Sequence, residues 1–162
     1  MFDALIFDFD GTLLDTERHN FRCWQHTAQS VGFELSQEFY CSLVGLTLED
    51  SNRLLRQQFG PEVPLDEWRA LRRQKFYSLW DEGQGPGWKV GLDLLLPYLK
   101  ERRLRQAIAS SSLKAELDHK LERSGLLEHY PIRVAGDEVA AGKPQPDVFL
   151  EAARRLQVQP ER

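Results

Sequence analysis

Two carboxylates stand close together near the start of the chain. They are Asp8 and Asp10, in the stretch Ala4-Leu5-Ile6-Phe7-Asp8-Phe9-Asp10-Gly11-Thr12-Leu13-Leu14-Asp15-Thr16. Such a pair can divide labour, one acid attacking an electrophile while the other moves a proton. The same spacing also suits a solvated loop or a helix cap, so the pair needs partners. Ser110-Ser111-Ser112 is the first of them. Hydroxyls and backbone N–H groups at a helix N-terminus form a ready site for phosphate, although a plain N-cap needs only one serine. The second is Gly142-Lys143-Pro144-Gln145-Pro146, where a lysine lies between glycine and proline. It reads as a held cation or as a surface lysine in a turn.

An acid pair, a hydroxyl cluster and a fixed cation together suit phosphoryl transfer. An aspartate can attack phosphorus and form an aspartyl-phosphate. A second carboxylate can protonate the leaving oxygen and later activate water. Serine and lysine can hold the transferring oxygens as charge builds on them.

The elements that must position these groups follow from hydrophobic pattern. Ala4–Phe7 is a continuous apolar run, which reads as a strand buried on both faces, as in a parallel α/β sheet. Its carboxyl end is where open α/β sheets place ligands, and Gly11 allows a sharp turn there. Phe21, Trp24, Ala28 and Val31 share one helical face, and Gly32 ends it. Ser36 caps a helix that runs through Val44 to Gly45, Thr47 with Asp50 resembles a capping arrangement, and Leu54, Leu55 and Phe59 lead to Gly60-Pro61. Asp66 then caps a longer helix carrying Trp68, Leu71, Lys75 and Leu79. The aromatic stripe of this helical block reads as packing.

Glu82-Gly83-Gln84-Gly85-Pro86-Gly87 reads as a linker or hinge. Beyond it come a helix with Leu92, Leu95, Leu96 and Leu99, interrupted awkwardly by Pro97, and a strand at Arg105–Ala109. A helix capped by Ser112 follows, with Leu113, Leu117 and Leu121 inward and Gly125 closing it. Pro131–Ala135 is a further strand. Pro146 opens a last helix with Phe149, Leu150, Ala153 and Leu156 inward. The fold class is α/β, a Rossmann-like parallel-sheet core with an inserted α-helical cap. The expected core is 1–16 with 84–162, and the expected cap is 17–83, lying as a lid over the strand ends.

Composition excludes several classes. A net charge of −4 gives no general attraction to nucleic acid or an anionic membrane. No apolar run approaches membrane-spanning length, and the start lacks a signal-peptide pattern. Cys23 and Cys41 have no metal or redox spacing and read as free thiols of a cytoplasmic protein. The basic residues Arg69, Arg72, Arg73 and Lys75 could meet an anionic substrate, but read first as a solvated face.

These motifs carry a family resemblance. Asp8 to Thr16 resembles the first motif of the haloacid dehalogenase-like phosphohydrolases, Ile108-Ala109-Ser110-Ser111-Ser112 the second, and Gly142-Lys143-Pro144-Gln145-Pro146-Asp147 the third, in the form of the β-phosphoglucomutase-like branch. The resemblance implies Asp8 as nucleophile and Asp10 as general acid/base. It implies Ser110, Ser111 through its backbone, and Lys143 as phosphate holders. It implies Mg²⁺ held by the Asp8 carboxylate and the Asp10 backbone carbonyl, with Asp15 and Thr16 supporting the loop and cap hinge. The implied activity is a Mg²⁺-dependent phosphatase of small phosphorylated metabolites, sugar phosphates first among them.

Two departures separate the chain from the mutase of that branch. Asn20 stands where the mutase has a histidine, and Leu48 where it has a phosphate-binding arginine. A β-phosphoglucomutase-like phosphomutase is therefore the second expectation. The family's fourth motif, an acidic strand end completing the metal site, has no counterpart before the chain stops at Gln159-Pro160-Glu161-Arg162. Asp137 and Glu138 fall before the lysine loop and read as caps of a strand end. The expectation is a truncated or partly recorded form, monomeric if complete, edge-paired or aggregating through its first strand if not. A catalytically incomplete fragment or binding module is the reading of a different class.

Overall fold

The structure, a computed structural model, describes residues 2–46 and 48–160. The Thr47 capping arrangement lies outside the described residues. The chain divides into two compact units, Met1–Asp15 with Gly87–Arg162, and Thr16–Pro86.

The first unit is built on a three-stranded sheet, β1 (Ala4–Phe7), β2 (Arg105–Ala109) and β3 (Ile132–Val134), in the order β1-β2-β3. All pairings are parallel, with Phe7 opposite Ile108 and Ala109 opposite Val134. The three carboxyl ends therefore lie side by side. Ala107, Ala109 and Val134 pack on one face against Val148, Ala152 and Leu156 of the last helix. Ile108 alternates to the other face and is also fully buried. All four β1 residues are half-buried, where burial on both faces was expected. Among the described residues β1 has β2 as its one sheet neighbour, so its outer side is open.

The helices of this unit are α5 (Leu92–Glu101), α6 (Lys114–Arg123) and α7 (Asp147–Leu156), once α1 to α4 are counted in the other unit. α5 runs through Pro97 without a break. Pro97 and Asp93, whose carbonyl loses its intrahelical donor, are both on the exposed face, where water can serve that carbonyl. Two expected inward sets shift. Leu113 precedes α6 and is exposed, while Leu117 and Leu121 are buried as expected. In α7 the buried residues are Val148, Ala152, Ala153 and Leu156, whereas Phe149 and Leu150 are partly exposed. Small alanines at the sheet-facing positions let α7 lie close on the strands, and that fixes its rotation.

Polar contacts tie α7 to the strands. Arg105 donates to the Leu156 carbonyl at 2.9 Å, serving an orphan carbonyl at the helix end. Arg155 donates to the Arg133 carbonyl at 2.7 Å, to Glu138 at 3.1 Å and to Glu151 at 2.7 Å. Asp137 and Glu138 do cap, as the sequence suggested. Glu138 accepts from the Ala135 N–H at 2.9 Å, and Asp137 accepts from the Lys114 N–H at 2.8 Å. The Asp137 contact means that α6 is capped from outside its own segment. Partial burial alone pushes the Glu138 carboxyl up. The Ala135 N–H and the Arg155 and Lys114 charges outweigh it and hold the group below its ordinary value.

The second unit holds α1 (Thr16–Ser30), α2 (Gln37–Leu43), α3 (Leu48–Phe59) and α4 (Leu65–Asp81). Ser36 caps α2, accepting from the Phe39 N–H at 3.1 Å. Asp66 does not cap α4; the helix begins one residue earlier, after Pro64, and Asp66 sits in its first turn, where its charge still suits the helix dipole. Val31 lies beyond the end of α1 and is partly exposed. The core gathers Trp24, Ala28, Leu35, Tyr40, Leu55, Val63, Leu65 and Trp68. The aromatic stripe is packing, with Phe59 and Trp68 rings 5.3 Å apart. Burial pushes the Cys23 thiol up to about 11, so it is an inert core group. His19 is buried and donates to the Phe76 carbonyl at 3.0 Å. Desolvation keeps this imidazole below its ordinary value despite that bond. Glycine is needed at position 85 because a Cβ there would run into the Trp80 ring. None of the described helices is long and apolar enough to cross a membrane.

Two outcomes test this account. Pro97→Ala should stabilise the protein by about 1–2 kcal/mol, the interior-proline cost of ~3 kcal/mol less the freedom returned to the unfolded chain, read from denaturant midpoints. Glu138→Gln should lower the melting temperature at neutral pH. A depressed carboxyl stabilises the fold above its unfolded value and loses that effect as pH falls through the folded one. The gap between variant and parent should therefore close below roughly pH 4 in melting curves taken across the acid range.

Candidate active site

The site residues expected in the first unit, Asp8, Asp10, Ser110, Ser111 and Lys143, come from loops that follow the three strands. After β1, the chain passes Asp8 and Phe9 and turns within the next few residues. Gly11 takes a φ of 75°, and the Leu13 N–H donates to the Phe9 carbonyl at 3.0 Å. Phe9 is fully buried, so the residues alternating with it, Asp8 and Asp10, emerge beside it as half-exposed groups. The loop is anchored where the chain returns. The Asp15 N–H donates to the Gly87 carbonyl at 2.9 Å, and the Asp15 carboxylate meets Lys89 at 3.4 Å. Thr16 is fully buried as the first residue of α1.

Lys143 is held rather than solvated. Its Nζ lies 2.6 Å from Asp8 Oδ1 and donates to the Ala109 carbonyl at 2.9 Å. It also sits 4.9 Å from the centre of the Phe149 ring, which gives that partly exposed residue a role in the lysine's position. One cation thus bridges the ends of β1 and β2.

The serine cluster divides its tasks. Ser110 is buried, extends the strand pairing through its N–H to the Val134 carbonyl at 2.9 Å, and accepts from the Ser112 N–H through Oγ at 3.0 Å. That leaves the Ser110 hydroxyl proton to be directed at an acceptor. Ser111 contributes backbone. Its carbonyl lies so near Gly136 that a Cβ there would approach it to 2.7 Å, so glycine is what allows the β2 and β3 loops to meet. The expected Ser112 cap is corrected here. α6 starts at Lys114, after Leu113, with no side-chain cap, and Ser112 Oγ instead donates to Asp10 Oδ2 at 2.9 Å. Asp137 already serves the Lys114 N–H, and the Ser112 oxygen accepts from Lys120 Nζ at 3.2 Å instead.

The structure therefore groups Asp8 with Lys143, and Asp10 with Ser112. It adds a residue that the sequence reading missed. Lys120 Nζ lies 2.9 Å from Asp10 Oδ1 and 3.0 Å from Oδ2. Its register on α6, one residue before the buried Leu121, was the available signal, but a lysine at that place reads as surface. Among the described residues, no group of three or more His, Cys, Asp or Glu is assembled for a metal ion. The donors at this place are the oxygens of Asp8 and Asp10, the type that suits a hard cation such as Mg²⁺.

The chain is similar to several known proteins. A phosphorylated carbohydrates phosphatase of Thermotoga maritima is 27% identical over 162 residues, covering 99% of this chain and 73% of that protein. A β-phosphoglucomutase of Bacillus subtilis is 28% identical over 162 residues, covering 97% of this chain and 71% of that protein. The crystal structure of CbbY from Rhodobacter sphaeroides in complex with phosphate superposes with a TM-score of 0.76 at 29% identity, over 100% of this chain and 76% of that one. The family model described as haloacid dehalogenase-like hydrolase matches residues 5–162. With a parallel sheet whose strand ends carry the acid pair, the serines and the lysine, the chain belongs to the haloacid dehalogenase-like hydrolases.

Proposed function

We propose that the protein is a phosphatase of small phosphorylated metabolites, with sugar phosphates as the first substrate class. The observation that carries this reading is the Lys143 ammonium 2.6 Å from Asp8 at the joined ends of β1 and β2. A phosphoryl group approaching Asp8 meets a fixed positive charge and the nearby Ser110 hydroxyl. The similarity to a phosphatase of phosphorylated carbohydrates and to CbbY bound to phosphate supports the same chemistry.

In this reading Asp8 attacks phosphorus with one carboxylate oxygen, and the ester P–O bond breaks as Asp10 gives its proton to the departing oxygen. The product is an aspartyl-phosphate at Asp8 and a free alcohol. Asp10, now a carboxylate, takes a proton from water. That water attacks phosphorus, releasing inorganic phosphate and restoring Asp8. Lys143 and Ser110 hold the equatorial oxygens throughout, with the Ser111 backbone assisting. The Asp8 carboxylate and the Asp10 main-chain carbonyl would hold Mg²⁺, which when bound supplies positive charge opposite the phosphoryl group.

The mutase reading requires a cap residue that holds a second phosphate. Leu48 stands at that place, largely exposed and without charge, which favours transfer to water.

Asp8→Asn should abolish phosphate release from a panel of phosphorylated metabolites in the presence of Mg²⁺, with an unchanged circular-dichroism spectrum. Substantial remaining turnover would remove Asp8 as nucleophile. Asp10→Ala should slow hydrolysis by about 10²–10⁴-fold, the usual size of an acid–base contribution, with little change in KM. Isomerised sugar phosphate without free phosphate, seen by phosphorus NMR of the parent enzyme, would instead select the mutase.

A further inference from the structure

Lys120 is the residue of this site whose placement is hardest to explain by packing. It lies on α6 between Leu117 and Leu121, both fully buried, and its own side chain is only 12% exposed. A lysine so enclosed needs compensation for the water it has lost. Its ammonium has three N–H donors, and three acceptors receive them: Asp10 Oδ1 at 2.9 Å, Asp10 Oδ2 at 3.0 Å and Ser112 Oγ at 3.2 Å. Ser112 in turn donates to Asp10 Oδ2 at 2.9 Å. The carboxylate is therefore gripped on both oxygens from one side by a closed triangle of bonds. Its χ angles have little freedom left.

We propose that Lys120, with Ser112, is a positioning residue that sets the orientation of the Asp10 carboxylate for proton transfer to the leaving oxygen. The proposal rests on the phosphatase reading above. The Lys120 ammonium is bonded to Asp10 and Ser112. The phosphate-side cation is Lys143, bonded to Asp8 and the Ala109 carbonyl. The two lysines thus serve one carboxylate each, Lys143 the nucleophile and Lys120 the proton carrier. The physical logic is that proton transfer falls steeply with misalignment, so a rotating carboxylate is a poor acid. Lys120 also faces the negative charge that Asp10 acquires when it yields its proton. That favours the bond-breaking step for leaving groups that are unstable as anions.

The test compares two substrates that differ in how much they need the acid. An alkyl phosphate such as glycerol phosphate must be protonated as it leaves, whereas p-nitrophenyl phosphate departs as a stable anion. Read as the single-turnover rate of the first step, release of the alcohol, Lys120→Gln should slow the alkyl ester by ~10- to 100-fold and the nitrophenyl ester by less than about threefold, while the later hydrolysis of the aspartyl-phosphate, which also uses Asp10, slows equally for both. Lys120→Arg, which keeps the charge and two donors, should recover part of the loss. Lys120→Met preserves the stem's packing and is read in the same way if the glutamine variant does not fold. In the Asp10→Ala background, Lys120→Gln should cost nothing further, because the group it orients is gone.

Equal losses in the first step on both esters, or a full additional loss in the Asp10→Ala background, would overturn the positioning role while leaving the phosphatase reading in place. An unaltered enzyme without turnover on either ester would overturn both.

Discussion

The ammonium of Lys143 joins two things that the chain separates by more than a hundred residues, the Asp8 carboxylate and the Ala109 carbonyl. It can do so only because β1 and β2 pair in parallel with Phe7 opposite Ile108, which brings Asp8 and Ala109 to the same height at the same edge. A slip of one residue would turn every side chain of β1 to the other face and carry Asp8 away from the lysine. The register is in turn fixed by burial. Ala107, Ala109 and Val134 must meet α7, and Ile108 must face away from it. The polar site is therefore held in place by apolar packing beneath it.

Around that joint, the loops of the first unit are braced by contacts that are not themselves chemical. Asp137 caps α6 from the β3 loop, and Glu138 closes on the Ala135 N–H while Arg155 ties it to α7. The close approach of Gly136 to the Ser111 carbonyl keeps the β2 and β3 loops in contact. These bonds fix the backbone that presents Ser110 and Ser111. Rigid support of this kind is what lets a site hold donors aimed at a developing charge without reorganising during reaction.

The helical unit shows the opposite balance. Its core is apolar and aromatic, around Trp24, Leu55 and Trp68, with Arg69 and Arg72 donating to Asn52 and Asn20 across its helices. Two of its potentially reactive groups, Cys23 and His19, are muted by burial. Cys23 is pushed up as a thiol, and His19 is held toward its neutral form while bonded to a backbone carbonyl.

The amino-acid sequence by itself determined the element order, the parallel α/β class and the residue types of the site. Asp8, Asp10, Ser110 and Lys143 are set by local motifs, and the runs ahead of Asp8 and Ser110 are short and bounded by polar or turn residues, which suits strands. Local chemistry also settled the Ser36 cap and the glycine ends of α1 and α2. Tertiary structure decided what pattern could not rank. Ser112 looked like a helix cap because a serine ahead of a helical run usually is one, but Asp137 from a distant loop takes the helix N–H and Ser112 donates to Asp10. Phe149 and Leu150 looked buried because they are large, yet the close approach of α7 to the sheet selected alanines. Lys120 drew no notice in the sequence, since a lysine on a helix has no sequence mark that distinguishes water from a partner. Its ion pair with Asp10 joins residues 110 positions apart, a relation that exists only after β1 and β2 have paired and α6 has packed beside them.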